Sequence, residues 1–109
     1  MSTPPNWAQV KREVTRRIIA SVKPQRILLF GSAIRGGLTA DSDLDLLVIE
    51  SEVFNTRQEG LRLRSALQGC SLPIDVMVMS RQRFEETKDV IGGLAYPAHK
   101  YGKVVYEAA

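Results

Sequence analysis

The sequence lacks the features that would place it in the disulfide-rich, secreted or membrane classes. Its 109 residues include one cysteine, Cys70, so an intrachain disulfide is excluded. No basic start leads into an apolar run long enough for export or for crossing a membrane. A chain of this length buries one core and has no room for a second domain. We therefore expect a cytoplasmic protein with a single domain over residues 1–109.

Several common catalytic and binding motifs are also missing. No Gly-Lys-Ser or Gly-Lys-Thr closes a glycine-rich loop, and no three spaced glycines form a dinucleotide fingerprint. The single histidine, His99, has no partner motif that would make it a general base. The net charge is only +3, and no series of aromatic residues is present to stack on bases. We do not expect nucleic acid as a partner.

The charged residues are unevenly distributed along the chain. Residues 1–35 contain seven basic side chains and one acidic side chain, whereas residues 36–54 contain five acidic side chains and no basic one. The basic side chains of the first predicted helix, Arg12 and Arg16 among them, are typical of a solvated face and are available to an acidic partner. The acidic stretch is the more unusual feature and directs attention to its aspartates.

Hydrophobic periodicity predicts three long helices and four strands. Apolar residues from Trp7 to Val22 recur at intervals of three and four, which predicts a first helix that Pro24 ends. Short apolar runs predict strands, and caps and glycines bound the later helices. The predicted strands are 27–30, 44–49, 74–79 and 103–107, and the later helices are 54–67 and 81–91. This order predicts an α/β (α+β) fold with a mixed β-sheet flanked by helices.

The most informative pattern begins where the first strand ends. Gly31-Ser32 is followed by ten residues and then by Asp43-Leu44-Asp45, which opens the second strand, and Asp75 lies within the third strand. Side chains alternate along a strand, so Asp43 and Asp45 share one face. Asp75 joins them if its strand is the neighbour and the register matches.

Three converging carboxylates tolerate one another only when cations or protons lie between them. Two unit charges about 4 Å apart repel by roughly 4 kcal/mol at an effective dielectric of 20. Carboxylates are hard ligands that suit Mg²⁺, which completes its shell with waters and phosphate oxygens. We therefore expect Asp43, Asp45 and Asp75 to hold two Mg²⁺ ions, which would activate a hydroxyl and neutralise a phosphoryl group during its transfer.

The glycine-rich segment after the first strand fits the same chemistry. Gly31 and Ser32 expose backbone amides where a helical turn opens, and such amides favour phosphate. Arg35 is placed to pair with a phosphate. Taken singly, a Gly-Ser turn is most often only a turn, and Asp-Ser-Asp is a common solvated start of a strand. The functional interpretation depends on the joint occurrence of these features.

The combination of Gly31-Ser32, Asp43-x-Asp45 and Asp75 resembles the signature of the polymerase-β-type nucleotidyltransferase superfamily. The short chain and its ending, residues 102–107, further resemble the minimal nucleotidyltransferase branch. The resemblance covers most of the chain and implies a polymerase-β-like nucleotidyltransferase fold. Ala33 departs from it, because related loops often carry arginine there, whereas Arg35 matches a later basic position.

The resemblance implies Mg²⁺-dependent transfer of AMP from ATP with release of pyrophosphate. By position, Gly31 and Ser32 would hold the nucleoside triphosphate, Asp43 and Asp45 would bind two Mg²⁺ ions, and Asp75 would complete the metal site or deprotonate the acceptor. Many minimal members are antitoxins of a HEPN-class toxin, and some adenylylate a tyrosine of that toxin. The leading hypothesis is a protein adenylyltransferase that forms a hetero-oligomer with such a toxin.

Two other functions stay open. The chain could be a non-catalytic binding module that neutralises its partner by contact, in which case loss of the metal ligands would leave neutralisation intact. The resemblance also permits transfer to a small molecule such as an aminoglycoside, which the lack of a second domain disfavours. Growth rescue by aspartate variants separates the first alternative from the leading hypothesis.

Overall fold

The computed structural model of the chain describes residues 7–31, 44–70 and 74–108. Within these ranges a four-stranded mixed sheet is flanked by four helices, which confirms the predicted α+β fold with a mixed sheet but includes one helix more than the sequence predicts. None of the described helices is both long and apolar enough to span a bilayer. The helices are α1 (Trp7–Ser21), α2 (Thr56–Ala66), α3 (Arg81–Thr87) and α4 (Ala95–Tyr101), and the strands are β1 (Arg26–Phe30), β2 (Leu44–Glu50), β3 (Ile74–Ser80) and β4 (Lys103–Glu107).

The sheet has the strand order β3-β2-β1-β4. β1 pairs antiparallel with both β2 and β4, whereas β2 and β3 are parallel. A parallel pair needs a crossover rather than a hairpin, and the chain supplies it with α2. β2 therefore lies in the interior of the sheet, and its neighbours on the two sides run in opposite directions.

The two faces of the sheet pack against different helices. Leu46 and Val48 of β2 belong to the core that includes α1 and α2, whereas Leu47 and Ile49 belong to the core that includes α3 and α4. This division follows from the alternation of side chains along β2. The α1 and α2 side chains of the first core are Val10, Val14, Ile18 and Leu63, and those of α3 and α4 in the second are Phe84, Ala95 and Ala98.

Side-chain caps begin two of the helices. The Asn55 side chain accepts a hydrogen bond from the Gln58 backbone at 2.9 Å, and the Ser80 hydroxyl accepts one from the Arg83 backbone at 3.2 Å. These bonds satisfy amides that have no acceptor within the helix. The Ser80 cap is confirmed, whereas the predicted start of α2 at residue 54 is two residues early, because the Asn55 cap places the first helical residue at Thr56.

The segment after β3 differs from the prediction. The sequence predicts one helix over residues 81–91, but α3 ends at Thr87. The amides of Val90 and Gly93 then donate to the carbonyls three residues earlier, at 3.0 Å each, and form successive turns. Val90 and Ile91 are 52% and 82% exposed. A longer helix would therefore order these residues without burying apolar surface in return.

The sequence pattern does not predict α4. This seven-residue helix contains Pro97 at its third position, where an N–H would have no intrahelical acceptor, so the proline is tolerated. Its buried residues are Ala95 and Ala98, which give only a weak apolar periodicity. The small alanines allow the helix to lie close to the sheet.

Gly102 joins α4 to β4 where two backbone segments meet. Its amide donates to the Ala98 carbonyl at 3.0 Å. A Cβ atom at this position would lie 3.0 Å from the Leu29 carbonyl oxygen and still closer to the Ala98 carbonyl oxygen. Any side chain would therefore separate α4 from β1, and glycine is required by space rather than by its φ of −78°.

Arg17 of α1 holds the end of α2. Its guanidinium donates to the Ala66 carbonyl at 3.4 Å and to the Gln68 carbonyl, and lies 3.5 Å from a Glu13 carboxylate oxygen. The last carbonyls of a helix have no intrahelical partners and carry partial negative charge. Arg17 therefore acts as a cap supplied by a neighbouring helix.

We expect Arg17→Ala to lower the free energy of unfolding by about 1–2 kcal/mol, because two carbonyls lose a charged donor. Arg16→Ala is the matched control, since Arg16 is exposed, and it should change stability by less than about 0.5 kcal/mol. Denaturant unfolding of both variants measures the difference. Equal effects would show that Arg17 does not act as a cap.

Candidate active site

β2 has one residue that is not buried. Six of its seven residues are buried, and the exception is Asp45, which is half-buried. On the same face of β3, Asp75 is exposed, Met77 is half-buried and Met79 is buried. Among the described residues, the sheet face that carries α3 and α4 is therefore covered toward the ends of β2 and β3 and less covered at their beginnings.

Strand pairing places Asp45 and Asp75 side by side. Asp45 lies opposite Asp75 in the parallel β2–β3 pair, and Phe30 lies opposite Asp45 in the antiparallel β1–β2 pair. Residues opposite each other point to the same face. Neighbouring strands are about 4.8 Å apart, so the two carboxylates are direct neighbours. We call the region around Asp45 and Asp75, where β1 ends at the buried Phe30 and continues into Gly31, the open end of the sheet.

Gly31 follows β1 directly and has a φ of 107°. Side chains other than glycine rarely adopt this conformation. Because β1 is antiparallel to β2, the end of β1 lies beside the beginning of β2. The glycine predicted to contact phosphate therefore lies at the open end. Its positive φ also favours glycine at this position, independently of any ligand.

Three of the predicted site residues, Ser32, Arg35 and Asp43, lie outside the described residues. The chain enters that segment at Gly31 and leaves it at Leu44, and both of these residues are at the open end. The structure thus brings together Asp45, Asp75 and Gly31 of the predicted set. The roles of the other three residues stay predictions.

The Asp45–Asp75 pair has the chemistry of a magnesium site. At about 5 Å, two carboxylates repel by roughly 1 kcal/mol in water and roughly 3 kcal/mol at an effective dielectric of 20. A divalent cation removes this cost, and hard carboxylate oxygens are the ligands that Mg²⁺ takes. No group of three acidic, histidine or cysteine side chains close enough to hold a metal is present in the described part of the chain. The two aspartates fit Mg²⁺ if further oxygens complete its shell.

A cavity of about 290 Å³ lies at the opposite end of the sheet. Gln25 and Ile49 line it, as do Arg26 and Glu107, whose side chains are 3.4 Å apart. The Arg26 guanidinium also lies 5.9 Å from the centre of the Phe84 ring. This end of the sheet has no pair of carboxylates on adjacent strands, so its cavity does not offer the predicted phosphoryl-transfer chemistry.

The described contacts of His99 and Cys70 are with residues other than Asp45 and Asp75. The His99 ring meets the edge of Phe84 at 5.9 Å between centroids, and its Nε2 atom lies 3.7 Å from an Asp89 carboxylate oxygen. Burial raises the pKa of the Cys70 thiol, while Arg17 opposes this shift. A raised pKa keeps a thiol protonated and a poor nucleophile. These contacts indicate a structural role rather than a catalytic one for His99 and Cys70.

β2 ends in a buried carboxylate that the sequence interpretation missed. Glu50 is 7% exposed and lies on the same face as Leu46 and Val48. Burial, together with a hydrogen bond and repulsion from Glu59, raises the pKa of Glu50 to about 7, while Arg62 opposes the shift. One Glu50 carboxylate oxygen, Oε2, is buried without a hydrogen-bond partner among the described residues. The alternation of side chains along β2 places Glu50 on the buried face, and this pattern could have predicted its burial from the sequence.

Comparison with known families gives one informative result. The sequence model of the family described as "Polymerase beta, Nucleotidyltransferase" matches residues 13–108. The match includes β1, Gly31, Asp45 and Asp75, and therefore all of the described open end. A search of curated proteins gives no match.

We expect Asp45→Asn and Asp75→Asn to abolish stabilisation by Mg²⁺ and α,β-methylene ATP, because each would remove a carboxylate from the Mg²⁺ site that the sequence predicts. At ten times the dissociation constant, a ligand adds about 1.4 kcal/mol to the wild type, or roughly 5 °C or more in Tm. Asp89→Asn, an exposed aspartate elsewhere, is the matched control and should keep the response. Equal responses in all variants would show that the pair does not bind metal.

The raised pKa of Glu50 predicts a loss of stability with increasing pH. The folded protein retains the Glu50 proton up to about pH 7, whereas the unfolded chain releases it near 4.5, so stability falls as the pH rises between these values. The glutamine of Glu50→Gln cannot ionise. The Tm of this variant relative to that of the wild type should therefore increase as the pH rises from about 4.5 to about 7. Glu52→Gln, at an exposed position, is the control, and its Tm should change with pH in the same way as that of the wild type. A constant difference between Glu50→Gln and the wild type would contradict the assignment.

Proposed function

The chain belongs to the polymerase beta nucleotidyltransferase family, and we propose that it uses Mg²⁺ to transfer AMP from ATP to a protein tyrosine. The family membership supports nucleotidyl transfer in general. The metal, the donor and the acceptor are the proposed part. We further propose that the acceptor is a HEPN-class toxin, with which this chain forms a cytoplasmic hetero-oligomer as the antitoxin, in the manner of the minimal nucleotidyltransferases.

The observation that carries this proposal is the pairing of Asp45 with Asp75 on one uncovered sheet face. Two carboxylates in register on adjacent strands repel each other, and a cation bound between them would relieve this repulsion. Both strands begin at this end, where Gly31 also follows β1. The two proposed metal ligands and a glycine backbone suited to phosphate are therefore within one small region. This combination supports phosphoryl chemistry more directly than either feature does alone.

In the proposed reaction the acceptor hydroxyl oxygen attacks the α-phosphorus of ATP. The new bond joins that oxygen to phosphorus, and the bond between the α-phosphorus and the bridging oxygen breaks, so that pyrophosphate leaves with the bonding electrons. Asp45, with Asp43, would hold the metal, and Asp75 would complete the metal site or receive the hydroxyl proton. Bound Mg²⁺ would supply charge neutralisation on the phosphates and would polarise the hydroxyl.

The exposure of the pair supports a macromolecular acceptor. Asp75 is exposed, and Asp45 is half-buried. A side chain on the surface of another folded protein can therefore approach the pair without first entering a deep pocket. A buried site would instead favour a small acceptor that fits within a concave cavity.

We expect α-³²P-labelled ATP with Mg²⁺ to label the proposed HEPN-class toxin, which we would seek in the reading frame adjacent to that of this chain, and intact mass to show one added AMP. γ-Labelled ATP should transfer no label, which separates nucleotidyl transfer from phosphorylation. Asp45→Asn should reduce labelling by roughly 100-fold or more, because transition-state charge loses its stabilisation. Asp89→Asn is the control with the same charge change and should retain activity.

Failure to label the partner by a folded wild-type protein would count against the proposed acceptor. Growth rescue tests the remaining alternative, neutralisation by contact. If Asp45→Asn loses transfer but still rescues cells from the partner, binding rather than chemistry neutralises it. If Asp45→Asn loses both, the catalytic proposal is supported.

A further inference from the structure

The layer formed by α1 and α2 concentrates positive charge on one side of the sheet. The two helices contain seven basic residues and two acidic residues, whereas the whole chain has a net charge of +3. Both acidic residues are paired within the layer: Glu13 lies 3.5 Å from Arg17, and Glu59 lies 3.7 Å from Arg62. The other five basic residues of α1 and α2 therefore have no further carboxylate within these two helices to pair with.

An open groove of about 630 Å³ runs between the two helices. Four of the residues that line it are small, and they are Ala20, Ser21, Ser65 and Ala66. Small residues on both helices let another backbone approach closely. We call this region the α1–α2 groove.

Two arginines that line the α1–α2 groove have different roles. The Arg17 guanidinium binds the carbonyls at the end of α2 and is thus committed to the fold. Arg16 is exposed, and within the described part of the chain it makes no hydrogen bond or ion pair. Arg16 is therefore available to a carboxylate from outside.

Exposed apolar side chains lie beside these cations. Ile19, three residues after Arg16, is 44% exposed, and Leu61, four residues before Ser65, is 52% exposed. Residues three or four apart share a helix face, so each apolar side chain is next to a groove residue. The surface thus combines positive charge, apolar contact area and four small residues in the lining of the groove.

We propose that the α1–α2 groove docks a helix of a partner protein that presents carboxylates beside an apolar stripe. A helix in a groove uses apolar anchors for affinity, and complementary charge speeds and orients its binding. Nucleic acid is disfavoured as the occupant because none of the described residues that line the groove is aromatic. The groove is on the sheet face opposite Asp45 and Asp75, so docking leaves the open end uncovered and the inference does not depend on the proposed function.

The test uses a fluorescein-labelled amphipathic peptide with leucines along one helical face and glutamates on its flanks. We expect the full chain to bind it, with affinity that falls as salt rises. Arg16→Glu should weaken binding at least tenfold by charge reversal, and Ser65→Trp should do so by filling the groove. Arg83→Glu, the same charge change on exposed α3 across the sheet, should leave the affinity within twofold. Fluorescence anisotropy, recorded without nucleotide, measures the peptide affinity of the wild type and the three variants.

Two matched probes complete the test. A peptide with glutamine in place of glutamate, and one with serine in place of leucine, should each bind at least tenfold more weakly than the parent peptide. Three results would overturn the proposal: equal binding of the glutamine peptide, equal weakening by Arg83→Glu, or tighter binding of single-stranded RNA that Arg16→Glu and Ser65→Trp also abolish. The Tm of each variant shows whether it is folded.

Discussion

The parallel pairing of β2 with β3 is the constraint on which the candidate site depends. A slip of one residue would turn every side chain of β3 to the other face and would separate Asp75 from Asp45. Apolar packing prevents the slip, because Val76 and Val78 are buried on one face and Met79 on the other. Burial of each such side chain is worth about 1.5–3 kcal/mol, which together outweighs a carboxylate repulsion of roughly 1–3 kcal/mol.

The uneven covering of the sheet creates the site. α1 and α2 cover one face, whereas the short helices α3 and α4 cover the other only in part. Their contacts with Leu47 and Ile49 bury the ends of the central strands and leave Asp45 and Asp75 accessible. The close approach of α4 at Gly102 brings β4 back to β1. α4 and β4 therefore meet β1 at the same end of the sheet at which Asp45 and Asp75 lie.

Charged side chains of different sign lie in separate parts of the fold, although the net charge is small. Two carboxylates lie together at the open end, Glu50 is buried at the far end of the same strand, and excess cations lie on the outer surface of α1 and α2. Arg16 and Arg17 are neighbours in sequence, yet one faces solvent and the other caps α2. A turn of 100° per residue on a helix is sufficient to give adjacent arginines different roles.

The sequence by itself determined the strands, the first helix, the Ser80 cap and the alternation that gives Asp45 and Asp75 their faces, because these depend on local periodicity and on side chains near in sequence. It did not determine where α3 ends, the existence of α4 or the burial of Glu50, since each depends on which surfaces the rest of the fold covers. Strand order and register were likewise decided only in the tertiary structure. Asp45 and Asp75 are thirty residues apart in the chain, and only long-range packing of apolar side chains brings their carboxylates into one row.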